Sequence, residues 1–354
     1  MDIRITKTKS PKQKPSENDL GFGRFFSDHL FAMDYSTKEG WHDARVEPYA
    51  PFQIDPAAGV FHYGQAMFEG SKAFRGADGV IRMFRPGMHA RRMAAGAPRL
   101  CMPHPEETQM LAAAQLLTQV DAEWVPKAEG TSLYLRPTLI ATEGFLGVRP
   151  AQTYRYYIIA SPVGAYYGGK GLKCVRIWVE THDTRAPRGG LGAVKAGANY
   201  AASLSAAQKA KKEGFDQVLW LDGATHDLIE EVGTMNLFVL IGHTLVTPPL
   251  SDSILAGVTR DSVIELAKEQ KLIVEQRPIS VKELRATHAA GTLKEVFGTG
   301  TAAVISPVGE LSFGGEKMVI HGGTPGPVGT KLYEDISAIQ RGTKADTHQW
   351  MVAI

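Results

Sequence analysis

The stretch Gly192-Ala193-Val194-Lys195-Ala196-Gly197-Ala198-Asn199-Tyr200 decides how this chain is read. Its lysine stands among small, uncharged residues. They supply no neighbouring carboxylate to hold the proton, and they leave room for a flat ring beside the backbone. A lysine amine forms a Schiff base with an aldehyde only when unprotonated, and a free lysine, with a pKa of about 10.4, rarely is. Downstream lies Glu231-Val232-Gly233-Thr234-Met235-Asn236-Leu237-Phe238. A carboxylate that bonds a pyridine nitrogen keeps it protonated, and the pyridinium is the electron sink that stabilises a carbanion at a substrate α-carbon. Lys195 and Glu231 together point to pyridoxal 5'-phosphate. The competing readings are a solvated surface lysine and a strand-end charge. Glu230 is expected to be such a charge, because successive strand side chains face opposite ways and one glutamate alone then faces a ligand.

A phosphate ester needs backbone N–H donors and a cation, and loops opening onto helix N-termini supply the donors. Two segments qualify: Leu255-Ala256-Gly257-Val258-Thr259-Arg260 and Phe297-Gly298-Thr299-Gly300-Thr301-Ala302. Each by itself also reads as an ordinary turn. Arg92 is the candidate cation, a surface salt bridge being the default for any single arginine. The aromatic set Phe22, Tyr63, Phe68 and Tyr134 reads on composition as core, with a pocket lining as the alternative. The histidines show no HExxH or paired ligand spacing, so no metal is expected. The glycine-rich stretches lack both GxxxxGK[ST] and a GxGxxG between strand and helix, which disfavours a nucleotide fold.

At 354 residues the chain exceeds the usual single-core size, so two domains are expected, and 44% hydrophobic content supports real cores. A formal charge of +2 with scattered basic residues carries no nucleic-acid signal. Cys101 and Cys174 lack CxxC spacing and read as reduced packing residues of a cytoplasmic protein. No apolar run approaches the roughly 18 residues of a membrane span. Residues 1–19, mixing Lys, Pro, Ser and Glu, read as a flexible tail without a secretory signal. Short strands are expected at Val60 to Tyr63 and Val80 to Phe84, and a helix from Glu107 to Gln119. Further strands are expected at Ser132 to Arg136 and Tyr154 to Ser161. Beyond a glycine-rich linker come strands at Val175 to Thr181, Asp216 to Asp222 and Leu237 to Ile241. Helical periodicity marks Tyr200 to Lys212 and Asp252 to Lys271. The division is thus a tail (1–19), an N-terminal domain (20–165), a linker (166–174) and a C-terminal domain (175–354).

On six segments in order the chain resembles the branched-chain amino acid aminotransferases, class IV, D-alanine-aminotransferase-like pyridoxal phosphate enzymes. The segments are Phe22-Gly-Arg-Phe-Phe-Ser-Asp-His-Leu, His62-Tyr-Gly-Gln-Ala-Met-Phe-Glu-Gly, Met83-Phe-Arg-Pro, Gly130-Thr-Ser-Leu-Tyr-Leu-Arg-Pro, Ser161-Pro-Val-Gly-Ala-Tyr and Glu231-Val-Gly-Thr-Met-Asn-Leu-Phe. The resemblance implies fold type IV: a small N-terminal α+β domain and a larger C-terminal domain with a barrel-like sheet, α+β or α/β overall, with the cofactor in the cleft. It implies Lys195 as the Schiff-base lysine, Tyr200 on the ring's phenolic oxygen and Glu231 on its nitrogen. Arg92, Val258, Thr259 and Thr301 would take the phosphate. Phe22, Tyr63, Phe68, Tyr134, Arg136, Thr234, Thr301 and Ala302 would meet the substrate, Arg136 accepting glutamate's second carboxylate. Homodimers are implied, with a partner loop closing the pocket and Val163 matching a residue of such a loop.

Two departures stand out. Ala198 replaces the second glycine of the usual K-x-G-G-N-Y, and Ala303-Val304-Ile305-Ser306 lacks the CxxC of the mammalian enzymes, so no thiol switch is expected. The expected reaction is transamination of leucine, isoleucine or valine with 2-oxoglutarate. The alternatives are a D-amino-acid aminotransferase, an amine transaminase, an aminodeoxychorismate lyase or a non-catalytic cofactor binder.

Overall fold

Long antiparallel pairings organise the first part of the computed structural model, which describes residues 2–164 and 171–354. Contacts divide the chain into two units. One comprises Met1–Gly168, Val194–Ala198 and Ala338–Ile354, the other Gly169–Ala193 and Asn199–Ser337. The linker expected at 166–174 overlaps residues 165–170, which lie outside the described residues.

The first unit contains β1 (Arg4–Ile5), β2 (His29–Ser36), β3 (Gly40–Pro48), β4 (Ala66–Phe68), β5 (Ser71–Arg75), β6 (Ile81–Phe84), β7 (Ser132–Ala141) and β8 (Thr153–Val163). They line up as β1-β3-β2-β8-β7-β5-β6, the C-terminal strand Met351–Ala353 lies beyond β6, and β4 pairs with β7. Along β8 the alternation buries Tyr154, Tyr156, Ile158 and Ala160, the period expected of a strand with one face in a core. Helices α1 (Gly59–Tyr63), α2 (Pro86–Gly96) and α3 (Glu107–Val120) accompany this sheet. α2 opens on Pro86, where the missing N–H costs nothing, and α3 on a reciprocal cap between Glu106 and Gln109.

Two expectations fail here. Val60 to Tyr63 is a helical turn rather than a strand; Gly64 closes it in the left-handed region at φ 59°, and so short an apolar run does not itself distinguish helix from strand. Residues 1–19 are not simply a tail. Arg4–Ile5 runs parallel to β3 at Arg45 and Val46, Thr8 N–H donates to His29 Nε2 at 2.8 Å, and the Lys12 ammonium donates to Ser27 O at 2.7 Å. Backbone groups on an open sheet edge accept a polar segment as readily as an apolar one.

The second unit contains β9 (Val175–Val179), β10 (Gln217–Leu221), β11 (Ile229–Val232), β12 (Met235–Ile241), β13 (Thr244–Thr247), β14 (Ile273–Gln276), β15 (Leu293–Gly300), β16 (Val304–Phe313) and β17 (Glu316–Val319). The order β11-β10-β9-β16-β15-β12 closes on itself because β12 also pairs with β11 at Glu231↔Asn236 and Val232↔Met235. The result is a six-stranded, barrel-like ring. Helices α4 (Gly197–Lys212), α5 (Val258–Glu269), α6 (Val281–Ala289) and α7 (Pro327–Gln340) complete the set. α4 sets Ala206 and Ala210 against Val218 and Trp220. α5 begins at Val258 rather than near Asp252, leaving Ser251 to Gly257 as the loop that leads into it.

Candidate active site

In the first unit, Lys195 is held by its own backbone. Its carbonyl accepts the Phe68 N–H at 3.0 Å, and Ala196 bridges Met67. The Lys195 ammonium nitrogen sits 5.0 Å from the Phe68 ring centroid. Burial lowers the lysine pKa, the Arg92 charge lowers it further, and Glu69 opposes both. The absence of a carboxylate among its sequence neighbours is therefore offset in space by Glu69.

Glu69, 1% exposed, accepts Arg92 Nε at 2.7 Å and Nη2 at 2.8 Å, His89 Nδ1 at 3.1 Å and the Gly70 N–H at 3.1 Å. Burial alone would raise its pKa, but the Arg92 charge and these hydrogen bonds hold the carboxyl well below the usual carboxylate range. Burial pushes His89 down, leaving a neutral ring that donates to Glu69. Arg92 is thus no surface salt bridge but one arm of a buried, bidentate pair.

Beside this lysine lies an aromatic group with one cation. Phe22 meets Tyr134 edge-on at 5.0 Å, and the Arg136 guanidinium lies 4.5 Å over Phe68. Arg136 Nη2 also donates to Tyr134 Oη at 3.0 Å. A β-carbon on Gly70 would stand 2.0 Å from Tyr134 Oη, so any larger residue there would have to displace the tyrosine ring.

Not every expected residue joins the group. Tyr63, 44% exposed on α1, donates its hydroxyl to Leu146 O and belongs to a surface patch with Phe61, Phe145, Leu146 and Val148. Val163 is not on a loop: it is fully buried in β8 opposite Ser132, as a β-branched residue continuing that strand's inner face.

In the second unit, Glu231 is 3% exposed. Its Oε1 accepts the Leu255 N–H at 2.8 Å and Asn236 Nδ2 at 3.4 Å, while Oε2 lies 3.2 Å from Arg185 Nε. Asn236 Nδ2 also donates to Leu255 O at 2.8 Å, and a β-carbon on Gly257 would fall 1.9 Å from Asn236 Oδ1. Glu230 departs from expectation. The register runs Leu219↔Val232, Trp220↔Glu231 and then Leu221↔Ile229, so Glu230 is an extra, bulged residue. A bulge breaks the alternation of strand faces, and Glu230 is buried, with Ser253 Oγ donating to its Oε1.

The loop from Ser251 ends at Gly257, and no side chain caps the first turn of α5, where Val258 and Thr259 are buried. An uncapped helix start with buried N–H groups has the chemistry of an anion seat. Thr301 and Ala302 form the half-buried turn between β15 and β16, and it closes on Val304 at φ 63°, a strained angle for a β-branched residue. Tyr200 is half-buried in the first turn of α4, and Thr234 is exposed in the turn joining β11 to β12. Ala198 is exposed on α4. Cys174 is half-buried and its thiol is pushed up by burial, but Cys101 is exposed rather than packed.

Sequence reasoning missed Glu69, His89 and Arg185. Glu69 directly follows Phe68, so an aromatic neighbour masks it in the sequence. Arg185 had no local signal.

A match to the family described as amino-transferase class IV spans residues 66–311. The chain therefore belongs to the class IV aminotransferase family, whose members use pyridoxal phosphate. It is 49% identical to branched-chain-amino-acid aminotransferase 2 of Bacillus subtilis, over 99% of this chain and 97% of that protein. It is 48% identical to the branched-chain-amino-acid aminotransferase of Mycolicibacterium smegmatis, over 94% and 92%. Among solved structures, the Escherichia coli branched-chain amino acid aminotransferase superposes with a TM-score of 0.77 at 26% identity, covering 92% of this chain and 98% of that one. The Thermobaculum terrenum enzyme, solved in its PLP form, shares the fold with a TM-score of 0.74 at 23% identity, covering 92% and 98%. No helix among the described residues is long and apolar enough to cross a membrane.

Proposed function

We propose that this protein transfers the amino group of leucine, isoleucine or valine to 2-oxoglutarate, with pyridoxal 5'-phosphate as cofactor. The observation that carries the reading is the half-buried Lys195, its pKa lowered, against the Phe68 ring and beside the Arg92–Glu69 pair. The residues fit the group: an amine poised to lose its proton, a buried carboxylate with one oxygen fixed by backbone, and an uncapped helix start. When bound, the cofactor supplies the electron sink that makes the substrate α-proton acidic.

Lys195 would hold the cofactor and, as general base and then general acid, would move a proton between the substrate α-carbon and the cofactor's C4′ carbon. Glu231 would bond the ring nitrogen and Tyr200 the phenolic oxygen. Val258 and Thr259 N–H groups, Thr301 and Arg92 would seat the phosphate, and Thr301 with Ala302 the α-carboxylate, next to Thr234. Phe22, Phe68 and Tyr134 offer apolar faces to an isobutyl group, while Arg136 stands ready for the second carboxylate of 2-oxoglutarate. Tyr63, exposed on α1, stays in this reading as a pocket residue, and Val163 as a substrate contact, although it lies in β8 rather than on a loop. The second unit fits the role of the larger, cofactor-binding domain. The exposed patch of Phe61, Tyr63, Phe145, Leu146 and Val148 is the kind of surface a homodimer covers, and the protein is read as cytoplasmic.

Mixing the cofactor-loaded protein with L-leucine, D-alanine or a simple amine tests this reading. Conversion of the cofactor spectrum by L-leucine is expected. An inert spectrum with L-leucine but turnover of D-alanine or the amine would reassign the activity within the family.

A further inference from the structure

The loop that leads into α5 is held at every second residue. Gly257 packs against Asn236, whose Nδ2 donates to Leu255 O at 2.8 Å, and the Leu255 N–H donates to Glu231 Oε1 at 2.8 Å. Two residues earlier, Ser253 is gripped from both sides: its hydroxyl donates to Glu230 Oε1, and its carbonyl accepts Arg185 Nη2. Glu230 and Glu231 belong to β11 and Asn236 to β12. The spacing 253, 255, 257 is that of an extended segment presenting one edge to those strands.

The grip on Ser253 exists because of the bulge. In an unbroken ladder Glu230 and Glu231 would face opposite ways, and one of them alone would reach the loop. The register slip between Trp220 and Leu221 leaves both buried, and each accepts a hydrogen bond from the loop. With its proton committed to Glu230, the Ser253 hydroxyl oxygen accepts from Ser251 Oγ at 3.0 Å. A second segment is drawn in: the Ala193 N–H donates to Asp252 O at 2.8 Å, and a β-carbon on Gly192 would stand 2.4 Å from the Ser253 backbone.

Glu230 is held there at a cost. Its Oε2 is buried with no hydrogen-bond partner among the described residues. Burial, with Asp222, raises its pKa more than the Ser253 hydroxyl, Arg185 and Arg188 lower it. An apolar side chain would avoid that cost and leave the Ser253 hydroxyl unheld.

We propose that Glu230 is a positioning residue for the phosphate seat: by holding Ser253 it fixes the loop so that the first N–H groups of α5, at Val258 and Thr259, stand in place before the phosphate arrives. The proposal rests on the cofactor reading above and adds to it a glutamate that strand alternation alone would turn away from the ligand. Those N–H groups have no acceptor within the helix, and an anion gains most from donors that need not reorganise to meet it. Glu230 itself touches no part of the cofactor in this reading.

The test measures the dissociation constants of pyridoxal 5'-phosphate and of pyridoxal, which lacks the phosphate, on the cofactor-free protein. Wild type is compared with Glu230→Leu, Glu230→Gln, Ser253→Ala and the Glu230→Leu/Ser253→Ala double variant, with circular dichroism as the folding control. Glu230→Leu and Ser253→Ala should each weaken pyridoxal 5'-phosphate by roughly tenfold, the worth of one hydrogen bond to a charged group, and leave pyridoxal unmoved. The double variant should bind no more weakly than either single one, because both break the same bond. Glu230→Gln, whose amide oxygen still accepts the Ser253 hydroxyl, should recover most of the affinity. Wild-type affinity in folded Glu230→Leu overturns the proposal, as do equal losses for the two ligands or losses that multiply in the double variant. A wild-type protein that binds pyridoxal 5'-phosphate no better than pyridoxal would instead remove the phosphate seat of the proposed function beneath it.

Discussion

Replacing Glu69 with alanine probes how the lysine half of the site is held. The carboxylate accepts two bonds from Arg92, one from His89 and one from the Gly70 N–H, all between 2.7 and 3.1 Å. Its loss strips the matching charge from an arginine whose side chain is 12% exposed. Breaking a buried pair from one side costs about 3–5 kcal/mol, mostly the penalty on the charge left behind. For a unit of this size each kcal/mol moves Tm by about 2–4 °C, so calorimetry should show a fall on the order of 10 °C. Glu69→Gln, which keeps an acceptor of the same shape, should fall less. A second readout follows from sign: Glu69 raises the Lys195 pKa and Arg92 lowers it. Without Glu69, the pH midpoint for acetylation of Lys195, followed by mass spectrometry on cofactor-free protein, should move down. A Tm within about 2 °C of wild type, or a midpoint that moves up, refutes the coupling.

Lys72 is 7% exposed, and burial lowers its pKa to about 8. Because the unfolded lysine binds its proton more tightly, wild-type stability should rise between pH 8 and 10.5. The difference in stability between wild type and Lys72→Met should change in favour of the wild type by about 3 kcal/mol from pH 7 to above pH 10.5, as read by urea unfolding. A pH-independent difference would contradict this. Gly70→Ala should force Tyr134 aside at a cost of about 1–3 kcal/mol and raise KM for both substrates; unchanged kinetics would contradict the contact. Arg136→Met removes a cation next to Tyr134 and Phe68, and charge-assisted bonds of about 1.5–3 kcal/mol predict a roughly 10- to 150-fold loss of kcat/KM with 2-oxoglutarate. The L-leucine half-reaction should lose far less, and an equal loss in both would deny Arg136 its selective role.

Local chemistry sets Lys195 and Glu231 apart in the sequence as charged residues in small or apolar runs, and the structure leaves Lys195 half-buried and Glu231 buried. Periodicity did the same for α3 and for the inward face of β8. What stayed hidden depends on register or on distant partners. Glu230 was assigned to the wrong side because alternation presumes an unbroken ladder, and the bulge at Trp220/Leu221 breaks it. Glu69, just after β4, and Arg92, on α2, are 23 residues apart and meet only in the folded unit, so neither announced the pair. Arg4–Ile5 pairs through backbone atoms, to which composition is blind. Closure of the ring through β11 and β12 likewise follows from pairing rather than from any strand's own pattern.

The measurement closest to the central claim is chemical. Incubating the protein with pyridoxal phosphate, reducing with borohydride and mapping peptides should find a phosphopyridoxyl group on Lys195 alone. Its attachment to a different lysine, or no stable attachment at all, would contradict the account.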